Sequence, residues 1–92
     1  MPDGLEESRR EEAKRRLVYD FGLTKTPELC VLERIVNGES NPQIATVLNP
    51  YGQYSENYVK RIVRNICRKM DVKNRTAAAV KAVLYGLTPD KN

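Results

Sequence analysis

Basic and amide side chains recur at helical spacing between residues 57 and 68: Asn57, Lys60, Arg61, Arg64 and Arg68. With about 100° of rotation per residue, all five fall within one arc of roughly 100°. The apolar side chains of the same stretch fall in a separate arc of roughly 140°. They are Val59, Ile62, Val63, Ile66, Cys67 and Met70. The pattern predicts an amphipathic helix with one buried face and one cationic face.

The cationic arc contains no aspartate or glutamate, and this composition suits a polyanionic ligand. Like charges four residues apart, such as Lys60 and Arg64, repel by about a few tenths of a kcal/mol. A helix that is merely solvated usually mixes charges of both signs, which avoids this repulsion. Lysine and arginine match the guanine edge in the major groove of DNA, and asparagine matches the adenine edge.

A major groove admits one helix, and the first half of that helix reaches deepest. The candidate base contacts are therefore Asn57, Lys60, Arg61 and Arg64. Arg68 and Lys69 lie further along the helix and are candidate phosphate contacts. Backbone N–H groups at the start of a shorter helix, around Asn41 and Gln43, are a further candidate phosphate site.

The net charge of +4 is concentrated in the same part of the chain. Residues 56–75 hold seven basic and two acidic residues, whereas residues 1–22 hold five basic and six acidic. Localised positive charge is typical of nucleic-acid binding, and a solvated helix face is the alternative interpretation.

Capping residues and apolar spacing predict two helices ahead of the cationic one. The first begins with Thr26 as N-cap, directly before a proline, and ends at Gly38. The second is short, and its start has two interpretations. Either Asn41 caps it, or Ser40 and Gln43 form a capping box.

The cationic helix itself is predicted to run from a Ser55 cap to about Met70, after a turn-rich loop at residues 49–54. A last helix begins with Asn74 as N-cap, covers residues 75–85 and ends at Gly86. The sequence contains no alternating stretch long enough to predict a strand, so the fold class is all-α.

Residues 1–22 predict an additional, highly charged helix. Glutamate precedes arginine by four residues in three pairs, each worth about 0.2–0.5 kcal/mol on an exposed helix. Apolar residues appear only late in this segment, which predicts a helix that is solvated at its start and docked at its end. The segment is either a frayed extension without a role or a dimer contact or arm, for which Leu17 and Phe21 are the candidate residues.

Three blocks of the residues described above resemble the LuxR-type (GerE-like) helix-turn-helix of NarL/FixJ response regulators, over about residues 23–87. The blocks are Val31-Leu32-x-x-Ile35-Val36-x-Gly38-x-Ser40-Asn41-x-Gln43-Ile44-Ala45, Ser55-x-x-Tyr58-Val59-Lys60-x-x-Val63-x-x-Ile66-x-x-Lys69-Met70-x-Val72 and Asn74-Arg75-Thr76-x-Ala78.

The resemblance implies a four-helix helix-turn-helix domain that binds DNA, at residues 23–88. The charged helical extension at residues 1–22 precedes it, and a tail at residues 89–92 follows it. In such domains the second helix is the scaffold and the third helix reads the DNA.

The resemblance also implies residue roles. Positions that match Lys60, Arg61 and Arg64 typically face base edges. Positions that match Ser55, Tyr58 and Lys69 typically lie near phosphates. The last helix often carries the dimer contact, and its small Ala78 and Ala82 permit close helix approach. Packing of these alanines on the domain's own core is the alternative.

Four features depart from the family pattern. The opening Leu-Thr-x-Arg-Glu is replaced by Leu23-Thr24-Lys25-Thr26-Pro27-Glu28, which lacks the arginine and is one residue longer. The turn before the reader helix is about four residues longer than usual. This longer turn has two interpretations for Tyr51, Gln53 and Tyr54: they add DNA contacts, or they only bridge the distance between the two helices. Bridging is favoured. Ile62 replaces the family's histidine, and we expect no receiver or sensor domain.

Several other classes of protein are disfavoured. The chain has no histidine and no phosphate-binding glycine motif, so we do not expect an enzyme. Cys30 and Cys67 lie in apolar helical patterns, which predicts free thiols rather than a disulfide or zinc site. We expect no cofactor, no metal and no membrane span, and a cytoplasmic location without a signal peptide.

The leading hypothesis is a sequence-specific, double-stranded DNA-binding transcriptional regulator of bacterial, phage or plasmid origin, acting as a homodimer. One alternative is a protein-interaction module that binds RNA polymerase or a partner regulator. Another is an architectural or segregation protein of a plasmid or phage, which uses the same DNA chemistry.

Overall fold

A computed structural model describes residues 4–49 and 54–89 of the chain. These residues form α1 (Gly4–Phe21), α2 (Cys30–Val36), α3 (Asn41–Leu48), α4 (Glu56–Met70) and α5 (Arg75–Tyr85), and a π-type turn at Lys25–Leu29 precedes α2. The described residues contain no strand, so the all-α prediction with an added N-terminal helix is confirmed. Tyr51 and Gln53, which we expected to bridge the long turn, lie outside the described residues.

The caps of three helices follow the sequence prediction. Ser40 and Gln43 form a capping box at the start of α3, which decides between the two interpretations of that start. The Gln43 side chain accepts from the Ser40 backbone N–H at 2.8 Å. Ser55 caps α4 and Asn74 caps α5, each by accepting a hydrogen bond from the backbone N–H three residues ahead.

The predicted cap at Thr26 is wrong, because Thr26 is extended (φ −137°, ψ 127°) and the cap is Thr24. Thr24 Oγ1 accepts from the Glu28 N–H at 3.3 Å, and the Glu28 carboxylate accepts from the Thr24 N–H at 3.0 Å. The Leu29 N–H reaches the Thr24 carbonyl, five residues back, at 2.9 Å. The π-type turn thus takes up the extra residue and preserves a reciprocal cap.

The hydrophobic core draws on all five helices. In it α2 packs against α5, and α3 packs against α4. The α1 side chains of Ala13 and Leu17 are buried in this core, and Arg10 Nη2 donates to the Thr88 carbonyl at 3.0 Å. The interpretation of α1 as a frayed extension is therefore wrong: the helix is part of the packed structure.

Burial corrects most of the candidate dimer contacts. Leu17, Ala78 and Ala82 each have 0% exposure, so their side chains pack within the chain and cannot touch a second one. Phe21 is half-buried, its ring centroid lies 5.3 Å from that of Tyr85, and the ammonium of Lys81 lies 4.9 Å from the Phe21 ring. For the alanines, the alternative of packing on the domain's own core is the correct one.

The two cysteines are free thiols and half-buried. Burial raises the pKa of the Cys67 thiol, which disfavours the reactive thiolate. Among the described helices, none combines the length and the apolar character needed to cross a membrane.

Candidate nucleic-acid interface

Helix α4 has the two faces that the sequence predicts. Val59, Ile62, Ile66 and Met70 are at most 3% exposed and anchor one face in the core. The C-terminal end of the helix is held by Lys81, whose ammonium donates to the Met70 carbonyl at 2.7 Å. The buried face fixes the rotation of α4 about its axis, so the opposite face must point to solvent.

The structure brings the predicted base contacts together on that solvent face. The exposed side chains are Asn57, Lys60, Arg61, Arg64 and Arg68. Lys60, Arg61 and Arg64 have no ion-pair or hydrogen-bond partner among the residues that the structure describes. Arg68 Nη2 donates to Asn65 Oδ1 at 2.9 Å, which leaves its other donors for a ligand. The surface therefore carries uncompensated positive charge.

Ser55 and Tyr58 lie at the start of this surface. Ser55 Oγ accepts from the Tyr58 N–H at 3.1 Å, and its hydroxyl can still donate to an anion. The Tyr58 ring stacks on the ring of Tyr54, with centroids 5.0 Å apart and planes tilted by only 12°. Tyr54 is half-buried and packs against the core, whereas Tyr58 is 38% exposed.

Lys69 does not belong to the free cationic surface. Its ammonium lies 2.7 Å from Glu28 Oε1 and donates to the Gly22 carbonyl at 3.1 Å. Glu28 is only 7% exposed, so the carboxylate needs this partner. The geometry therefore gives Lys69 a role in holding α4 against the turn before α2, in place of the expected phosphate contact.

The polar groups at the start of α3 make more hydrogen bonds within the chain than the sequence suggests. The guanidinium of Arg75 donates to Asn41 Oδ1 and, at 2.7 Å, to the Glu39 carbonyl. The Gln43 N–H donates to Ser40 within the capping box at 3.4 Å. Sequence reasoning missed Arg75 as the link between α3 and α5. Its place directly after the Asn74 cap, within the block Asn74-Arg75-Thr76 that resembles the family pattern, was the available signal.

Comparison with known proteins finds a matching family model and related sequences. The family model described as "Bacterial regulatory proteins, luxR family" matches residues 22–82. The nitrate/nitrite response regulator protein NarP of Escherichia coli (strain K12) is 43% identical over 60 residues, which are 65% of this chain and 26% of NarP. The uncharacterized transcriptional regulatory protein YhcZ of Bacillus subtilis (strain 168) is 38% identical over 87 residues, 95% of this chain and 38% of YhcZ.

The chain thus spans well under half the length of these two relatives. The match to YhcZ covers nearly the whole chain, whereas the family model begins at residue 22. No solved structure matches the chain at the same level of significance.

Proposed function

The chain belongs to the luxR family of bacterial regulatory proteins, and on that premise we propose that it is a sequence-specific regulator that binds double-stranded DNA. The observation that carries the proposal is the exposed face of α4, where three cations have no partner among the described residues. Family membership places the chain among regulators rather than enzymes. The relatives named above are a response regulator and a transcriptional regulatory protein.

In the proposed complex α4 lies in the major groove. The base-reading side chains are Asn57, Lys60, Arg61 and Arg64, all exposed on one face. Arginine and lysine pair with guanine O6 and N7, and asparagine pairs with adenine N6 and N7. Since the buried face fixes the rotation of α4, these side chains are presented to the groove without rearrangement of the helix.

Phosphate contacts flank the base readers in this arrangement. Arg68 supplies an exposed charge toward the end of α4, and the Ser55 hydroxyl and Tyr58 supply neutral donors at its start. At α3, the Gln43 N–H is engaged in the capping box and the Asn41 side chain is engaged by Arg75. A phosphate there is therefore bound by the Asn41 backbone N–H, with the Arg75 guanidinium adding positive charge nearby.

The test of specific recognition is selection from a random double-stranded DNA pool at about 150 mM salt, where nonspecific binding is weak. Enrichment of a sequence motif supports the proposal. A triple variant with Lys60, Arg61 and Arg64 all changed to Gln is expected to lose the motif. A matched control removes three exposed charges elsewhere, at Arg9, Arg15 and Lys25, and is expected to retain it. Loss of the motif in both variants, or in neither, contradicts this assignment of the α4 face.

We propose further that the protein is a homodimer and that the exposed apolar face of α5 forms the contact. Val80, Val83 and Leu84 are 56%, 39% and 80% exposed, and they lie on one side of α5. A stripe of this kind is self-complementary about a two-fold axis, so one patch serves both subunits. A dimer also explains how two α4 helices could read the two halves of a symmetric site.

Sedimentation of the Leu84→Glu variant tests the dimer. We expect a folded monomer, because the glutamate would place a charge in the apolar contact. Ala78→Glu is the informative comparison: Ala78 has 0% exposure, so this change should unfold the chain instead of only separating subunits. A dimer that persists in Leu84→Glu excludes this face of α5 as the interface.

One observation favours a protein partner as a second candidate function. Tyr19 is 88% exposed on α1 and lines an open groove with Val18, Leu29 and Lys25. A protein-interaction module, for RNA polymerase or a partner regulator, would use such an aromatic residue as an anchor. This function predicts that Tyr19→Ser abolishes partner binding while the motif enriched from DNA is unchanged.

A further inference from the structure

Two tyrosines at the start of α4 stack on each other. Tyr54 immediately precedes the Ser55 cap, and Tyr58 lies in the first turn of the helix. Ser55 between them has the extended conformation of an N-cap (φ −79°, ψ 164°), and the Tyr54 ring covers one face of the Tyr58 ring. Tyr54 is itself anchored against the core.

The stack fixes the Tyr58 ring before any ligand arrives. A free tyrosine loses rotamer freedom when it binds, and a ring that is already held loses much less. Stacked rings at this centroid distance also attract each other, and this attraction adds to the stabilisation that comes from the surface area they bury. The pair is therefore a preorganised surface element, with Tyr54 as its support and Tyr58 as its exposed member.

The position of Tyr58 on α4 indicates what it would contact. At about 100° per residue, Tyr58 lies roughly 60° beyond Arg61, at the flank of the cationic face. A flanking side chain of a helix in the major groove faces a wall of the groove, which is the sugar–phosphate backbone. The Tyr58 hydroxyl has no hydrogen-bond partner among the described residues and is a good donor.

We propose that Tyr54 is a positioning residue: through the ring stack it holds the Tyr58 hydroxyl in place for the phosphate contact assigned to Tyr58 above. This inference rests on the proposed DNA-binding function and deepens it. It also gives the residue at the end of the long turn a role in binding, beyond bridging the gap between α3 and α4.

The test measures DNA affinity for matched variants of both tyrosines. Tyr58→Phe keeps the stack and removes only the hydroxyl, so binding should weaken roughly two- to tenfold on every DNA sequence. The salt dependence should not change, because the phenol carries no charge. Tyr54→Phe keeps the stack and should bind like the wild type. Tyr54→Leu removes the stack and should weaken binding roughly two- to fivefold.

The double variant Tyr54→Leu/Tyr58→Phe separates positioning from mere structure. If Tyr54 acts through the Tyr58 hydroxyl, the double variant binds no more weakly than Tyr58→Phe alone. Tyr19→Phe, which removes a hydroxyl from an exposed tyrosine on α1, is the control and should leave affinity unchanged.

Three outcomes would overturn the inference. The first is wild-type affinity for DNA in Tyr58→Phe, and the second is a loss of affinity in the double variant that equals the sum of the two single losses. Either result would mean that the stack only stabilises the first turn of α4. A loss in Tyr54→Phe would assign the contact to the other hydroxyl. Absence of DNA binding by the wild-type chain is a separate result, because it rejects the proposed function and this inference with it.

Discussion

The basic residues of α4 and α5 divide into two groups that differ in what they contact. Lys60, Arg61 and Arg64 are exposed along α4 and have no partner among the described residues. The other group is half-buried and consists of Lys69, Arg75 and Lys81. Each member of the second group reaches across to another element, with donor–acceptor distances of 2.7 Å to Glu28, the Glu39 carbonyl and the Met70 carbonyl.

The difference shows that one run of positive charge serves two purposes. Cations on the solvent face of α4 leave a field that attracts a polyanion. The half-buried cations Lys69, Arg75 and Lys81 donate to carbonyls and to a buried carboxylate, and these bonds help to fix how the solvent face of α4 is presented. Whether a cation is available to a ligand or stabilises the fold depends on its position relative to the core, because a carboxylate or carbonyl buried inside the fold must have a hydrogen-bond donor.

Lys69→Met gives the largest expected effect and tests the second group directly. The change leaves Glu28, at 7% exposure, without its cation. We expect a loss of about 2–3 kcal/mol in the free energy of unfolding, measured with urea. This is below the figure of roughly 3–5 kcal/mol for a fully buried pair because the Lys69 side chain is 31% exposed.

The double variant Glu28→Gln/Lys69→Met is the control for this prediction. Glutamine can still accept from the Thr24 N–H but carries no charge that needs compensation, so much of the lost stability should return. Unchanged stability in Lys69→Met, together with a DNA salt dependence lowered by about one unit, would instead make Lys69 the phosphate contact that the family resemblance implies.

Arg64→Ala tests the first group. Loss of a bidentate base contact should weaken binding to the enriched site by about 1–3 kcal/mol and relax specificity at one base pair. Stability should hardly change, because Arg64 is exposed and unpaired within the described residues. Arg15→Ala, which removes an exposed arginine from α1, is the matched control. Equal affinity for the cognate site in the Arg64 variant and the wild type would contradict the base contact.

The parts that sequence predicted well depend on neighbouring residues. The caps at Ser40, Ser55 and Asn74 are formed within three residues of chain, so local pattern is sufficient. The two faces of α4 likewise follow from its own periodicity. These features fix the helices and the candidate base contacts, which is most of what the proposed interface requires.

The parts that sequence did not predict depend on distant residues. The cap at Thr24 is completed by Glu28, and Glu28 is held by Lys69, which is 41 residues away in the chain. Ala78 and Ala82 are small enough for close packing against any helix, and residue size cannot say whether that helix belongs to the same chain. In the structure both alanines pack within the core of their own chain.

Arg68→Ala addresses the boundary between the two groups, since Arg68 has one internal hydrogen bond but is exposed. As a phosphate contact it should weaken binding to all sequences alike, by about 1 kcal/mol, and lower the salt dependence by about one unit. Binding titrations on the cognate and a scrambled site across salt concentrations measure both quantities. A loss confined to the cognate site would move Arg68 into the base-reading set.

Asp71→Gly is the smallest expected effect and changes neither group of cations. Asp71 ends α4 in the left-handed region (φ 56°), with the Asp71 N–H donating to the Arg68 carbonyl at 3.2 Å. The end of α5 has the same geometry but uses Gly86 (φ 109°). Glycine avoids the strain of a side chain in this region at some cost in chain entropy, so urea unfolding should show a gain of about 0.5–1 kcal/mol. Gly86→Ala is the reciprocal control and should lose more, about 1–2 kcal/mol, because alanine would be held at φ 109° with its Cβ 3.4 Å from that of Ala13. The affinity of the Asp71 variant for DNA should stay within about twofold of wild type. Together with a gain in stability, this result would show that the conformation of the helix end affects the stability of the fold but not DNA binding by the cations of α4. A loss of stability would mean that the aspartate itself stabilises the end of α4.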